Sequence, residues 1–155
     1  MSSQNNTVNL GIVRIHPDAT MPRRMSTGAA GLDLCACLPE GELEIPPGGR
    51  TLVPTGLVLA IADGYEGQVR PRSGLALRHG ISIPNAPGTI DSDYRGELKV
   101  ILANLGDAAF VVRHGDRIAQ LVIAPVVSVG IVEVDTVSAL PDSERGTGGF
   151  GSTGR

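Results

Sequence analysis

Tryptophan is absent from these 155 residues, and phenylalanine and tyrosine occur twice each. The core must therefore be aliphatic, and any aromatic residue outside an apolar run requires an explanation. Cysteine is as scarce. Cys35 and Cys37 are the only two, at a spacing that matches neither a zinc site nor a Cys-x-x-Cys redox pair. They read as small core residues, which suits a reducing cytosol. Lysine occurs once, at Lys99, against twelve arginines. GC-rich coding alone produces that skew, so each arginine has to be judged by position. There is no basic excess: the net charge is −3, which argues against broad nucleic-acid or membrane binding. No apolar run approaches membrane-spanning length, and the N-terminus lacks the pattern of a signal peptide. A soluble, cytoplasmic protein is expected. There is no Gly-x-x-x-x-Gly-Lys-Ser/Thr, which excludes a P-loop mechanism. Sustained helical periodicity and internal repeats are also missing.

What is abundant is glycine and proline, at 21 and 11 residues, within a chain that is 41% hydrophobic. Short strands joined by tight turns produce that balance. Strands are predicted at 8–16, 31–36, 42–45, 51–61, 66–72, 81–83, 97–105, 109–113, 117–127 and 130–134. Pro46-Pro47-Gly48-Gly49 and Asp63-Gly64 supply turns between them. Strands at this spacing form a sandwich, barrel or jelly roll. One short helix is predicted at 73–79, with Ser73 as N-cap, Arg78 and His79 in the last turn and Gly80 as the C-terminal cap. Residues 1–140 read as one all-β domain and 141–155 as a glycine-rich mobile arm, with Phe150 among its five glycines.

Four further features carry chemistry beyond what folding requires. Arg70-Pro71-Arg72-Ser73-Gly74 combines two arginines, a hydroxyl and a helix start, a combination suited to phosphate. Asp33 lies between leucines. Read alone it is a satisfied polar residue on a solvent face; a metal role would need oxygen ligands from a substrate, as magnesium often has. Gln120 interrupts an apolar strand and needs partners from the core or from a ligand. Asp116-Arg117 reads as a turn followed by a structural ion pair. The segment 85–97 is turn-like, yet it holds Asn85, Asp91, Asp93, Tyr94 and Arg95. An acid near a polyphosphate can act as general base for water, Tyr94 can offer a flat wall to a sugar, and Asn85 can read a base edge. The plainer reading of this segment is an Asx-stabilised loop with an Asp93–Arg95 surface pair.

Taken together these segments are recognisable. Ala30-Gly31-Leu32-Asp33-Leu34, Arg70–Ala76, Asn85–Glu97, Gly115–Leu121 and Arg145–Gly154 resemble, in order, the five motifs of the trimeric deoxyuridine triphosphatase family. The resemblance implies a jelly-roll-like (β-clip) protomer in a homotrimer, with sites at subunit junctions closed by the C-terminal arm. It implies Mg²⁺-dependent hydrolysis of dUTP to dUMP and diphosphate, which keeps uracil out of DNA and supplies dUMP for dTMP synthesis. By the same resemblance Asp91 is the general base and Asp33 holds Mg²⁺ through water. Asn85 and the backbone of Gly88, Thr89 and Ile90 read uracil, and Tyr94 packs on the deoxyribose. Arg72, Ser73, Gly74 and Gln120 bind phosphates, and Arg145 reaches the γ-phosphate. Phe150 stacks on uracil, and Lys99, Gly151 and Ser152 complete the substrate contacts. Two other readings are a dCTP deaminase, which shares the fold family, and a nucleotide-binding protein that has lost catalysis.

Overall fold

The computed structural model describes residues 7–149. Ten strands form three antiparallel sheets: β1 (Gly11–Arg14), β2 (Leu32–Cys35), β3 (Glu42–Ile45), β4 (Arg50–Ala60), β5 (Tyr65–Arg70), β6 (Ile81–Ser82), β7 (Gly88–Ile90), β8 (Glu97–Asn104), β9 (Phe110–Arg113) and β10 (Arg117–Pro125). The sheet orders are β1-β4-β8-β6, β2-β10-β5-β7 and β3-β9. Neighbouring strands are mostly distant in sequence, the topology of a jelly-roll-like fold. One short helix, α1 (Ser73–His79), follows β5. No helix among the described residues is long and apolar enough to cross a membrane.

Alternation explains the strands. In β8, Leu98, Val100, Leu102 and Asn104 are buried, while Lys99, Ile101 and Ala103 between them are not. All three sheets turn such faces inward onto one core, which includes Leu34, Ile45, Val53, Val69, Leu98, Leu102, Val112, Ile118 and Leu121. Each large aliphatic side chain buried there contributes roughly 1.5–3 kcal/mol. Aromatic rings are not needed, because interleaved aliphatic residues from facing sheets fill the space. Cys35 and Cys37 are buried free thiols, Cys37 in a separate small cluster with Ala19 and Leu57. Burial raises both thiols above their ordinary value of 9.0. Asp33 adds to the effect at Cys35, where nearby arginines oppose it.

The helix lies where the sequence predicts, and Gly80 closes it in the left-handed conformation, donating to the carbonyls of Ala76 and Leu75. The N-cap differs: it is Arg72, in extended geometry and with no side-chain cap bond, and Ser73 is the first helical residue. The Arg72 carbonyl accepts from Leu75 and Ala76, so the Ser73 hydroxyl is not the group that starts the helix.

Two strand assignments change. The predicted strand at 130–134 does not form; Ile131 and Val132 are 94% and 83% exposed, and no sheet edge among the described residues pairs with them. An additional strand, β7, lies inside the segment read as a bend. It pairs Gly88, Thr89 and Ile90 with Val69, Gln68 and Gly67 of β5.

Candidate active site

The pairing of β7 with β5 anchors the start of the 85–97 segment to the sheet. Beyond Ile90 the chain turns through Ser92 and Asp93, with the Tyr94 N–H donating to the Asp91 carbonyl at 3.2 Å. Arg95 fastens the same turn from outside, donating to the carbonyls of Ser92 and Tyr94 at 2.6 and 2.8 Å. The Asp93–Arg95 pair of the plainer reading gives way to arginine-to-backbone bonds, because the turn brings two carbonyls within reach of the guanidinium. Tyr94 folds back over the entry to β8, and its Oη donates to the Glu97 carbonyl at 3.1 Å.

These residues enclose a cavity of about 380 Å³ between the turn and the outer faces of β4 and β8. Its wall brings together Asn85, Thr89, Ile90, Asp91, Tyr94 and Lys99, all six of them predicted. Glu97 completes the charged part of the lining, 3.4 Å from the Lys99 ammonium. Sequence reasoning missed Glu97 as an organiser: its other oxygen accepts from the Gly56 N–H at 2.9 Å, tying the cavity floor to an irregularity in β4. The Asp91 carboxylate is exposed at the rim and enters no salt bridge among the described residues. It is therefore open to a water and a ligand.

A second cluster forms around Asp33. Register places Gln120 of β10 beside Asp33 on one side and Arg70 of β5 on the other. The Asp33 carboxylate receives Arg117 Nη1 at 3.1 Å and lies 3.8 Å from Arg72 Nε. Arg72 also donates to the Arg117 carbonyl at 2.8 Å, closing a triangle. Asp33 is thus a paired, half-buried acid and not a solvated one. The turn at Asp116-Arg117 forms, with Asp116 accepting from the Arg113 N–H at 2.8 Å, and the ion pair of Arg117 is with Asp33. The pairing of β10 with β2 presents Arg117 to an acid 84 positions away, a relation that local spacing does not reveal.

Gln120 finds its partner in the protein: Nε2 donates to the Pro71 carbonyl at 2.9 Å. Its Oε1 crosses directly over Gly31, where a Cβ would lie only 2.5 Å away. That contact gives Gly31 a role the motif alone leaves unexplained. Arg70 and Arg72 diverge despite their spacing, Arg70 toward Gln68 and Arg72 toward Asp33. Ser73 and Gly74 follow at the helix start.

The two clusters do not merge within one chain. Asp33 is on β2 and Gly88–Ile90 form β7, the opposite edges of one four-stranded sheet. Three inter-strand spacings separate those edges, roughly 14 Å. Arg145 is apart from both, donating to the Gly148 carbonyl in its own turn. Phe150, Gly151 and Ser152 lie outside the described residues.

Comparison with known proteins supplies the context for these clusters. The family model described as dUTPase matches residues 17–154. The chain belongs to the dUTPase family. A deoxyuridine 5'-triphosphate nucleotidohydrolase from Syntrophotalea carbinolica is 57% identical over 148 residues, covering 96% of this chain and 98% of the relative. One from Wolinella succinogenes is 54% identical and covers 99% of both. Among solved structures, the dUTPase of Staphylococcus bacteriophage 80alpha, a G164S mutant with dUpNHpp, aligns with a TM-score of 0.84 at 25% identity, over 96% of this chain and all of that one. As a member of this dUTPase family the chain is an enzyme, a hydrolase of nucleotide metabolism.

Proposed function

We propose that the chain hydrolyses dUTP to dUMP and diphosphate by attack of water on the α-phosphorus, in sites shared between the copies of a homotrimer. The observation that carries this reading is the Asp91 cavity: an open carboxylate, an aromatic face and a base-reading edge around one space of about 380 Å³. Asp91 takes the proton of the attacking water. The oxygen adds to the α-phosphorus as the bond to the bridging oxygen breaks, and diphosphate leaves. Phosphoryl transfer needs mainly positioning and charge stabilisation. Arg72, Ser73, Gly74 and Gln120 supply those to the phosphates, and Arg145 meets the γ-phosphate when the arm folds over. Asn85 and the β7 backbone take uracil, Tyr94 the deoxyribose, and Lys99 the polar rim. Phe150, Gly151 and Ser152 belong to the closing arm.

The donor set fits Mg²⁺ held indirectly. Among the described residues no three His, Cys, Asp or Glu side chains form a cage, and Asp33 is a single carboxylate beside two arginines. A magnesium ion with waters and phosphate oxygens as its main ligands needs no more than that from the protein. When bound, it neutralises charge on the triphosphate, and Asp33 is the residue that would hold its waters.

The separation of the two clusters across one sheet supports a shared site. The exposed apolar run from Val126 to Leu140 supports it too, including Val127 at 81% and Ile131 at 94% exposure. Exposed apolar side chains concentrated in one segment are what an interface between copies would bury. Diphosphate release measured with dUTP, dCTP, dTTP and UTP, with and without Mg²⁺, tests the reaction. Rapid release from dUTP alone, dependent on the metal, is expected; ammonia from dCTP, or binding of dUTP without dUMP, would displace this reading.

A further inference from the structure

Gly96 lies between the Tyr94 ring and the start of β8, and its backbone gives no reason for glycine. Its φ is not in the left-handed region, so any residue can adopt it. Space gives the reason. A Cβ at Gly96 would overlap Tyr94 Oη and lie 2.5 Å from Cζ and 2.9 Å from Cε2. The ring therefore rests on the bare Cα, and this lets Tyr94 Oη reach the Glu97 carbonyl at 3.1 Å.

We propose that Gly96 is a specificity-determining position: its missing side chain holds the Tyr94 ring against the wall of the Asp91 cavity and so sets the preference for a deoxyribose over a ribose nucleotide. This rests on the reading of that cavity as a dUTP site. The backbone of the turn is fixed on both sides. Tyr94 N–H is bonded to the Asp91 carbonyl, Arg95 holds the carbonyls of Ser92 and Tyr94, and Gly96 runs directly into β8. A methyl group at position 96 is therefore accommodated by the side chain. Tyr94 is 44% exposed, so its ring swings outward, the bond to the Glu97 carbonyl breaks, and the wall that excludes a 2′-hydroxyl is lost. Contacts worth a methyl or methylene in a pocket discriminate by about 10–200-fold, which bounds the effect.

The experiment compares kcat/KM for dUTP and UTP in the wild type, Gly96→Ala, Tyr94→Ala and the double variant, with thermal melts of each. Gly96→Ala is expected to lower the dUTP/UTP ratio by about tenfold or more while melting close to the wild type. On the Tyr94→Ala background the same change should have no further effect on the ratio, since there is no ring left to displace. An unchanged ratio in folded Gly96→Ala overturns the proposal, as do additive effects in the double variant. Should Gly96→Ala unfold the protein, the double variant decides: recovery of folding there supports the ring contact, and continued unfolding overturns it. A wild type inactive on dUTP overturns the site reading itself, whereas an active wild type with an insensitive position 96 overturns only the role of Gly96.

Discussion

At the scale of single residues, Asp91 and Asp33 show how two carboxylates in one chain come to sit in different environments. Asp33 is half-buried and held by Arg72 and Arg117, so its place is set by the protein. Asp91 is exposed at a cavity rim without an ionic partner among the described residues, which leaves it open to a water. Asp91→Asn keeps the shape and removes the carboxylate that serves as base in the proposed reaction. Its kcat on dUTP is expected to fall by about 10²–10⁴-fold, with the affinity for a non-hydrolysable dUTP analogue nearly unchanged. Single-turnover kinetics beside calorimetric titration separates the two quantities; a comparable loss in affinity would make Asp91 a binding group and not the base. The chemical type of both acids was legible in the sequence. The Asp33–Arg117 bond was not, because it spans 84 positions and Arg117 has a nearer acid in Asp116.

At the scale of elements, alternating inward aliphatic positions made the longer strands β4, β5, β8 and β10 readable, and flanking turn residues marked out the five shorter ones that the sequence predicts. β7 escaped because three residues are too few to show a period, and polar turn residues flank them. The run at 130–134 misled for the opposite reason: an apolar pattern signals a face to bury, without saying which surface buries it. The end of β8 shows what holds the elements together. Asn104 is wholly buried, and its Nδ2 donates to the carbonyls of Ile45 at the end of β3 and Ala108, both at 2.8 Å. Its Oδ1 accepts from the Gly106 N–H at 2.9 Å. Removing that amide leaves the buried Ile45 carbonyl unsatisfied, at about 1–3 kcal/mol, and hands the part-buried Ala108 carbonyl and Gly106 N–H to water at a smaller cost. Asn104→Ala is therefore expected to destabilise the protein by roughly 2–5 kcal/mol. Chemical denaturation checks this, and a midpoint equal to the wild type would show that water replaces the amide.

At the scale of the whole molecule, the sheet order β2-β10-β5-β7 decides how the motifs can cooperate. The sequence presents the motifs in a line and gives no sign that two of them fall on opposite edges of a sheet. If each site of a trimer takes its Asp91 cavity from one copy and its Asp33–Arg72 cluster from another, inactive variants should complement each other. Asp91→Asn and Arg72→Ala each spoil every site in their own homotrimer. In a trimer that mixes them, one of the three junctions joins an intact Asp91 cavity to an intact Arg72 cluster. Random assembly from equal amounts then restores roughly a quarter of wild-type activity under cyclic symmetry. The measurement is diphosphate release from dUTP after co-refolding the two variants, with native mass spectrometry to establish that mixed trimers form. Mixed trimers that remain inactive would place both clusters' work within single protomers, and the roughly 14 Å between the sheet edges would then have to be bridged by the substrate alone.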